Sequence, residues 1–173
     1  MTAPYGAQPH LMSDGQLAHI VEQIVAVEQP IHEEEVARRL AAACGLQRAG
    51  SRIQDAAGRG LRAARRQSRL LAYGRFWQLS EGVIVARDRS GLASAEQVRK
   101  PAMIAPHELA EAARIVLVQN FALDLQELVV ETARAVGFAR TGSDVSAAIE
   151  EAIRDHLMSD LEADHLGRLR FLD

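Results

Sequence analysis

The chain has 173 residues, 48% of them hydrophobic and 25% charged, with 20 basic side chains against 23 acidic ones and a formal charge of −3. Such a composition belongs to an ordinary globular protein, one medium domain or two small ones, and its charge balance argues against a generic polybasic nucleic-acid binder. No apolar run approaches the roughly 20 residues of a bilayer span, Met1 to Gln16 lack the pattern of a secretory leader, and a lone Cys44 excludes an internal disulfide; the expectation is a cytoplasmic protein with no membrane partner.

In chain order, residues 1–15 read as an N-terminal tail ending in Ser13 and Asp14, which can cap a helix carrying Leu17, Ile20, Val21, Ile24 and Val25 at helical spacing. Pro30 stops that helix, and Ile31 reads as a strand of one or two residues. Glu33, Glu34 and Glu35 suit the first turn of a second helix running to about Cys44, which Gly45 ends. A third helix is predicted from about Gly50-Ser51 to Ser68, although Gly58 and Gly60 each weaken it by roughly 1 kcal/mol. Leu70 to Tyr73 and Arg75 to Leu79 then read as two strands around Gly74. Residues 81–105 form a linker whose Val83-Ile84-Val85 predicts a short edge strand. After it come Leu109, Ala112, Ala113, Val116 and Leu117 at helical spacing, a capping box over Asp124-Leu125-Gln126-Glu127, Gly137, and a helix from about Gly142 to Leu157.

The second half repeats the first. A gapless shift of 92 residues lays Pro30 to Ala64 on Ala122 to His156 with nine identities in 35 positions, among them Gly45/Gly137, Arg48/Arg140, Gly50/Gly142 and Ser51/Ser143, and with apolar character kept at pairs such as Val36/Leu128 and Leu61/Ile153. Two related units, 16–80 and 106–173, are the simplest reading. Three helices closed by a hairpin make each a winged helix, so the predicted class is mainly α with small β-hairpins, a tandem of helix-turn-helix-like repeats.

Four stretches carry a family resemblance: Ile31 to Arg39, Gln47 to Ile53, Val85 to Ser90 and Glu131 to Ser143. Together, across about residues 16–157, they resemble an uncharacterised domain family at the C-terminal end of very large bacterial proteins related to superfamily I DNA helicases, behind ATPase and restriction-endonuclease-like modules. The resemblance implies an accessory role in DNA processing and partners among helicase or nuclease domains, with no catalytic residue to carry over. The chain has no helicase part, which is compatible with a fragment or with a free-standing homologue.

Charge divides unequally between the repeats. From Arg48 to Arg75 eight arginines face one acid, Asp55, a local +7. On a helix, Arg52, Arg59, Arg62, Arg66 and Arg69 fall opposite Ile53, Ala57, Gly60, Leu61 and Ala64, so the basic face is predicted to be the solvent face. In a helix-turn-helix this third helix enters the major groove. The candidate DNA-binding set is therefore Arg48, Ser51, Arg52, Arg59, Arg62, Arg65, Arg66, Arg69 and Arg75; solvation of an Ala-rich helix is the plainer account of the same arginines. The window Arg140 to Leu161 sums to −3 and is expected to repel DNA and to pack on another surface, that of a second copy included. Gly50-Ser51 suits either a phosphate or a turn with a capping serine, and Tyr73, Arg75, Phe76 and Trp77 suit either a binding wing or a structural hairpin.

No catalytic constellation is visible. The six histidines lack ligand spacing, His32-Glu33 lacks a second histidine four residues on, no Walker A lysine motif occurs, and Cys44 aligns with Val136 as a core position. The expectation is a non-enzymatic module without cofactor or metal: a DNA-binding accessory module, or alternatively a protein-interaction or dimerisation module without DNA affinity.

Overall fold

A computed structural model describes residues 6–91 and 100–172, and the chain divides into two compact units, Met1–Val83 and Ile84–Asp173. Among the described residues no helix is long and apolar enough to cross a membrane.

The first unit runs α1 (Asp14–Glu28), β1 (Ile31–His32), α2 (Glu33–Ala43), α3 (Ser51–Arg66), β2 (Leu70–Tyr73) and β3 (Phe76–Leu79). The strands form one antiparallel sheet in the order β1-β3-β2, with Ile31 opposite Trp77 and Tyr73 opposite Phe76. Ser13 caps α1 through a capping box with Gln16. The hairpin turns on Gly74 at φ 59, a left-handed conformation that glycine adopts without a Cβ clash. Leu17, Leu40, Leu61, Leu70 and Trp77 are buried together, so the hairpin is held to the helices by its own apolar face.

The second unit repeats that order: α4 (Pro106–Asn120), α5 (Leu125–Ala135), α6 (Ser143–His156), β4 (Leu161–Ala163) and β5 (Leu169–Phe171). Asp14 and Pro106, Glu33 and Leu125, and Ser51 and Ser143 open the equivalent helices, each pair 92 positions apart. The expected capping box of Asp124 and Glu127 is formed. α2 and α5 end alike. Gly45 (φ 77) and Gly137 (φ 97) adopt the left-handed conformation, and the N–H groups of Leu46 and Phe138 reach back to the carbonyls of Ala41 and Ala133, closing a Schellman motif in each unit. β1 survives as one bridge, Leu123 to Leu169, at the position of Ile31 opposite Trp77. The fold is thus two tandem winged-helix-like units, mainly helical, each closed by an antiparallel hairpin.

Each unit begins earlier than its amphipathic pattern. Residues 6–13, expected as tail, hold a 3₁₀ turn over Pro9–Leu11 with Pro9 buried, and the repeat places another at Pro101–Met103. The Gly6 N–H donates to the Cys44 carbonyl at 3.0 Å, and the Arg89 N–H donates to the equivalent Val136 carbonyl at 3.2 Å. The expected edge strand at Val83-Ile84-Val85 is absent. That segment is fastened instead by Glu108, which is fully buried in the first turn of α4 and accepts from Arg89 Nη2 at 2.7 Å and from the Arg87 guanidinium at 3.3 Å. Gly137 lets this strap pass, since a Cβ there would lie 2.5 Å from the Ser90 nitrogen.

α3 lies against α1 at Gly60, where a Cβ would meet the Leu17 carbonyl carbon and oxygen at 2.9 Å. In the second unit the equivalent position is Ala152, fully buried. Gly60→Ala is therefore expected to lower stability by about 1–3 kcal/mol through overpacking, although alanine is the better helix former by about 1 kcal/mol. Urea unfolding followed by Trp77 fluorescence measures this; an unchanged or raised midpoint would show that the helices can part at no cost.

Candidate nucleic-acid interface

α3 packs Ile53, Ala56, Ala57, Gly60, Leu61 and Ala64 inward, and its arginines consequently line the outer side. The sequence-predicted residues then separate into two sets. Arg48, Arg52, Arg62 and Arg65 are exposed and make no ion pair with the described residues. Arg62 lies back over Gly58, its Nη1 3.1 Å from where a Cβ would stand.

The other four arginines meet carboxylates of their own unit. Arg59 donates to Asp14 Oδ1 at 2.8 Å and to the Met12 carbonyl at 2.7 Å, fixing the turn before α1. Arg66 lies 3.7 Å from the second Asp14 oxygen. Arg69 pairs with Glu22. Arg75, at the hairpin turn, donates to Glu33 Oε1 at 2.8 Å and to Glu34 Oε1 at 2.9 Å, and those hydrogen bonds raise the pKa of its guanidinium further. The +7 counted along the chain is thus reduced locally by acids of α1 and α2, which counting along one segment does not register.

Ser51 is the first residue of α3 and is exposed; Gly50 is the N-cap, and its helix start has no side-chain cap, as at Gly142 in the second unit. The expectation of a capping serine is therefore corrected: the Gly50 carbonyl accepts the first helical bonds from Ile53 and Gln54. On the hairpin Trp77 is buried and Phe76 half-buried, the latter edge-on to His32 with ring centroids 5.1 Å apart. Tyr73 and Arg75 are the exposed members. A cleft of about 260 Å³ between α2, α3 and the turn is lined by Glu33, Glu34, Asp55, Arg62 and Arg75. Three acids against two arginines make it unsuited to a phosphate, so the cationic surface is that of Arg52 and Arg65 on the outer side of α3, with Arg62 shared between that surface and the cleft. Among the described residues no group of three His, Cys, Asp or Glu side chains is placed to hold a metal ion.

His32, which no sequence motif marks, joins β1 to α2. Its Nδ1 accepts from the Glu34 N–H at 3.3 Å, capping α2, and its ring is buried. Burial lowers its pKa below the usual 6.5, with Arg75 adding to the effect and Arg38 contributing while Glu34 and Glu33 oppose it. A histidine held neutral in the fold contributes stability that is complete above the unfolded pKa and is lost as pH falls toward the lowered folded value. His32→Asn keeps a capping acceptor without a titrating ring. The variant is expected to lose less stability than the parent between about pH 7.5 and about pH 5, as measured by thermal unfolding; parallel losses would contradict the assignment.

Residues 7–55 match the family described as "Protein of unknown function (DUF3320)". The match runs from the turn before α1 into the first turns of α3 and ends before Arg59, Arg62 and Arg65. No curated protein and no solved structure matches the chain.

Proposed function

We propose that the chain is a non-catalytic accessory module that binds duplex DNA through α3 of its first unit, with little reading of sequence. The observation that carries this is the set Arg52, Arg62 and Arg65 on the helix that a winged-helix unit presents outward, with Arg48 just before it, all exposed and without a carboxylate partner among the described residues. Guanidinium groups so placed meet phosphates or the acceptor edge of guanine. The resemblance of its motifs to the terminal domain of helicase-related proteins supports DNA processing as the setting and helicase or nuclease domains as neighbours, and the lone Cys44 fits a cytoplasmic place. Arg59, Arg69 and Arg75 serve the fold in this reading, and Arg66 contributes weakly.

A second reading, a protein-interaction module, is favoured by Phe121. It ends α4 with φ 65 and is 85% exposed, near the exposed Val118; a bulky residue in that conformation with its ring in water suits a protein contact.

Binding of a labelled duplex to the full chain over a salt series tests the two. Four phosphate contacts at about −0.9 each give an expected slope of about −3 to −4 in log K against log salt. Arg52→Glu/Arg62→Glu/Arg65→Glu is expected to reduce it to about −1 or to abolish binding. An unchanged slope in the variant, or no binding by the parent at low salt, overturns the DNA reading.

A further inference from the structure

We propose that the acidic face of α6 docks on the basic face of α3 in a second copy of the chain, forming a salt-sensitive head-to-tail association with which duplex DNA competes. The inference rests on the outward α3 face described above and adds its protein partner.

The repeat inverts charge at equivalent positions. Asp144 stands where α3 has Arg52, and Glu151 where α3 has Arg59. Asp155 follows one turn after Glu151, so Asp144, Glu151 and Asp155 lie on one side of α6 at spacings of seven and four. All three are exposed and, among the described residues, none is in an ion pair. Arginines are not scarce in that unit: Arg114, Arg134, Arg168 and Arg170 each hold a nearby carboxylate, on Glu111, Glu131, Asp164 and Glu162. Among the described residues the unpaired exposed charges of α6 are then Asp144, Glu151 and Asp155 against Arg154, and those of α3 are Arg52, Arg62 and Arg65 against Asp55, so each face keeps a net charge of opposite sign. The two faces are complementary in sign, are built on the same helix of the same scaffold, and are present in equal number in any solution of the chain.

Exposed ion pairs are individually weak and are screened beyond about 8–10 Å at moderate salt. A few of them support a dynamic association, not a permanent dimer. Every chain carries both faces, so association closes at two copies when both pairs form together and extends when only one does. A duplex on α3 removes the basic partner and returns the chain to the single copy.

Sedimentation velocity of the full chain over a concentration series, at low and at high salt, tests this. At low salt the average mass is expected to rise with concentration, and at high salt or with saturating duplex to return to that of one chain. Glu151→Lys/Asp155→Lys places cations in the last turns of α6, where the helix dipole favours them; it is expected to keep the parent's circular dichroism and at least its duplex affinity but to stay single at every concentration. Mixing it with Arg52→Glu/Arg62→Glu/Arg65→Glu, itself single, is expected to restore association, because the reversed faces are again complementary. A parent that stays single at low salt, association that persists in the α6 variant, or a mixture that stays single overturns the proposal. A parent that stays single yet binds duplex with the expected slope removes the docking alone, and charge-dependent association without duplex binding removes the DNA reading alone.

Discussion

The structure of the first unit depends on the approach of α3 to α1 at Gly60. With no Cβ in the way, the helix settles against the Leu17 backbone, and Ile53, Ala57, Leu61 and Ala64 are carried into the core with it. A helix in which Arg52, Arg62 and Arg65 alternate with these small apolar residues can bury only one side, because guanidinium groups cannot be desolvated without partners. Close packing on one side therefore dictates a cationic surface on the other. The same closeness brings Asp14 and Glu22 of α1 alongside Arg59 and Arg69, so the contact that exposes some arginines also neutralises others.

The two units show which parts of this scaffold are under the same physical constraint. Helix starts, the left-handed glycines after α2 and α5, and the pairing of β1 or its remnant with the hairpin coincide at a fixed offset, since each satisfies backbone groups that a buried core leaves no other way to satisfy. The outward faces obey no such rule and have diverged to opposite charge. The units also solve one local problem differently: buried Glu108 takes up the charge of Arg89 to hold the strap before α4, a pairing without an equivalent beside Gly6 among the described residues.

Much of the fold was legible in the sequence because its signals are local. Ser13, Pro30, Gly45, Asp124 and Gly137 stand at element boundaries for reasons of capping and φ, and at Gly45 and Gly137 the offset of 92 repeats the signal. What escaped the sequence was non-local. Gly58 and Gly60 read as weak points of a helix, whereas Gly60 permits a close helix contact with the Leu17 backbone. The run Arg87-Asp88-Arg89 read as linker because its partner, Glu108, lies 19 residues beyond Arg89. For the candidate interface, periodicity placed the arginines on the outer side correctly, but their partners on α1 and at the start of α2 follow only from packing. Arg59 and Arg75 accordingly belong to the fold's own ion pairs, and in the proposed reading the arginines offered to a polyanion narrow to Arg48, Arg52, Arg62 and Arg65, with Arg66 a weak contributor.

That narrowing is the central claim, and it is most directly tested by nuclear magnetic resonance of the arginine Nε–Hε groups in the full chain during titration with a short duplex at low salt. The account predicts that the signals of Arg48, Arg52, Arg62 and Arg65 move together with one affinity while those of Arg59 and Arg69 stay in place. Unmoved α3 signals at saturating duplex, or shifts confined to the second unit, would contradict it.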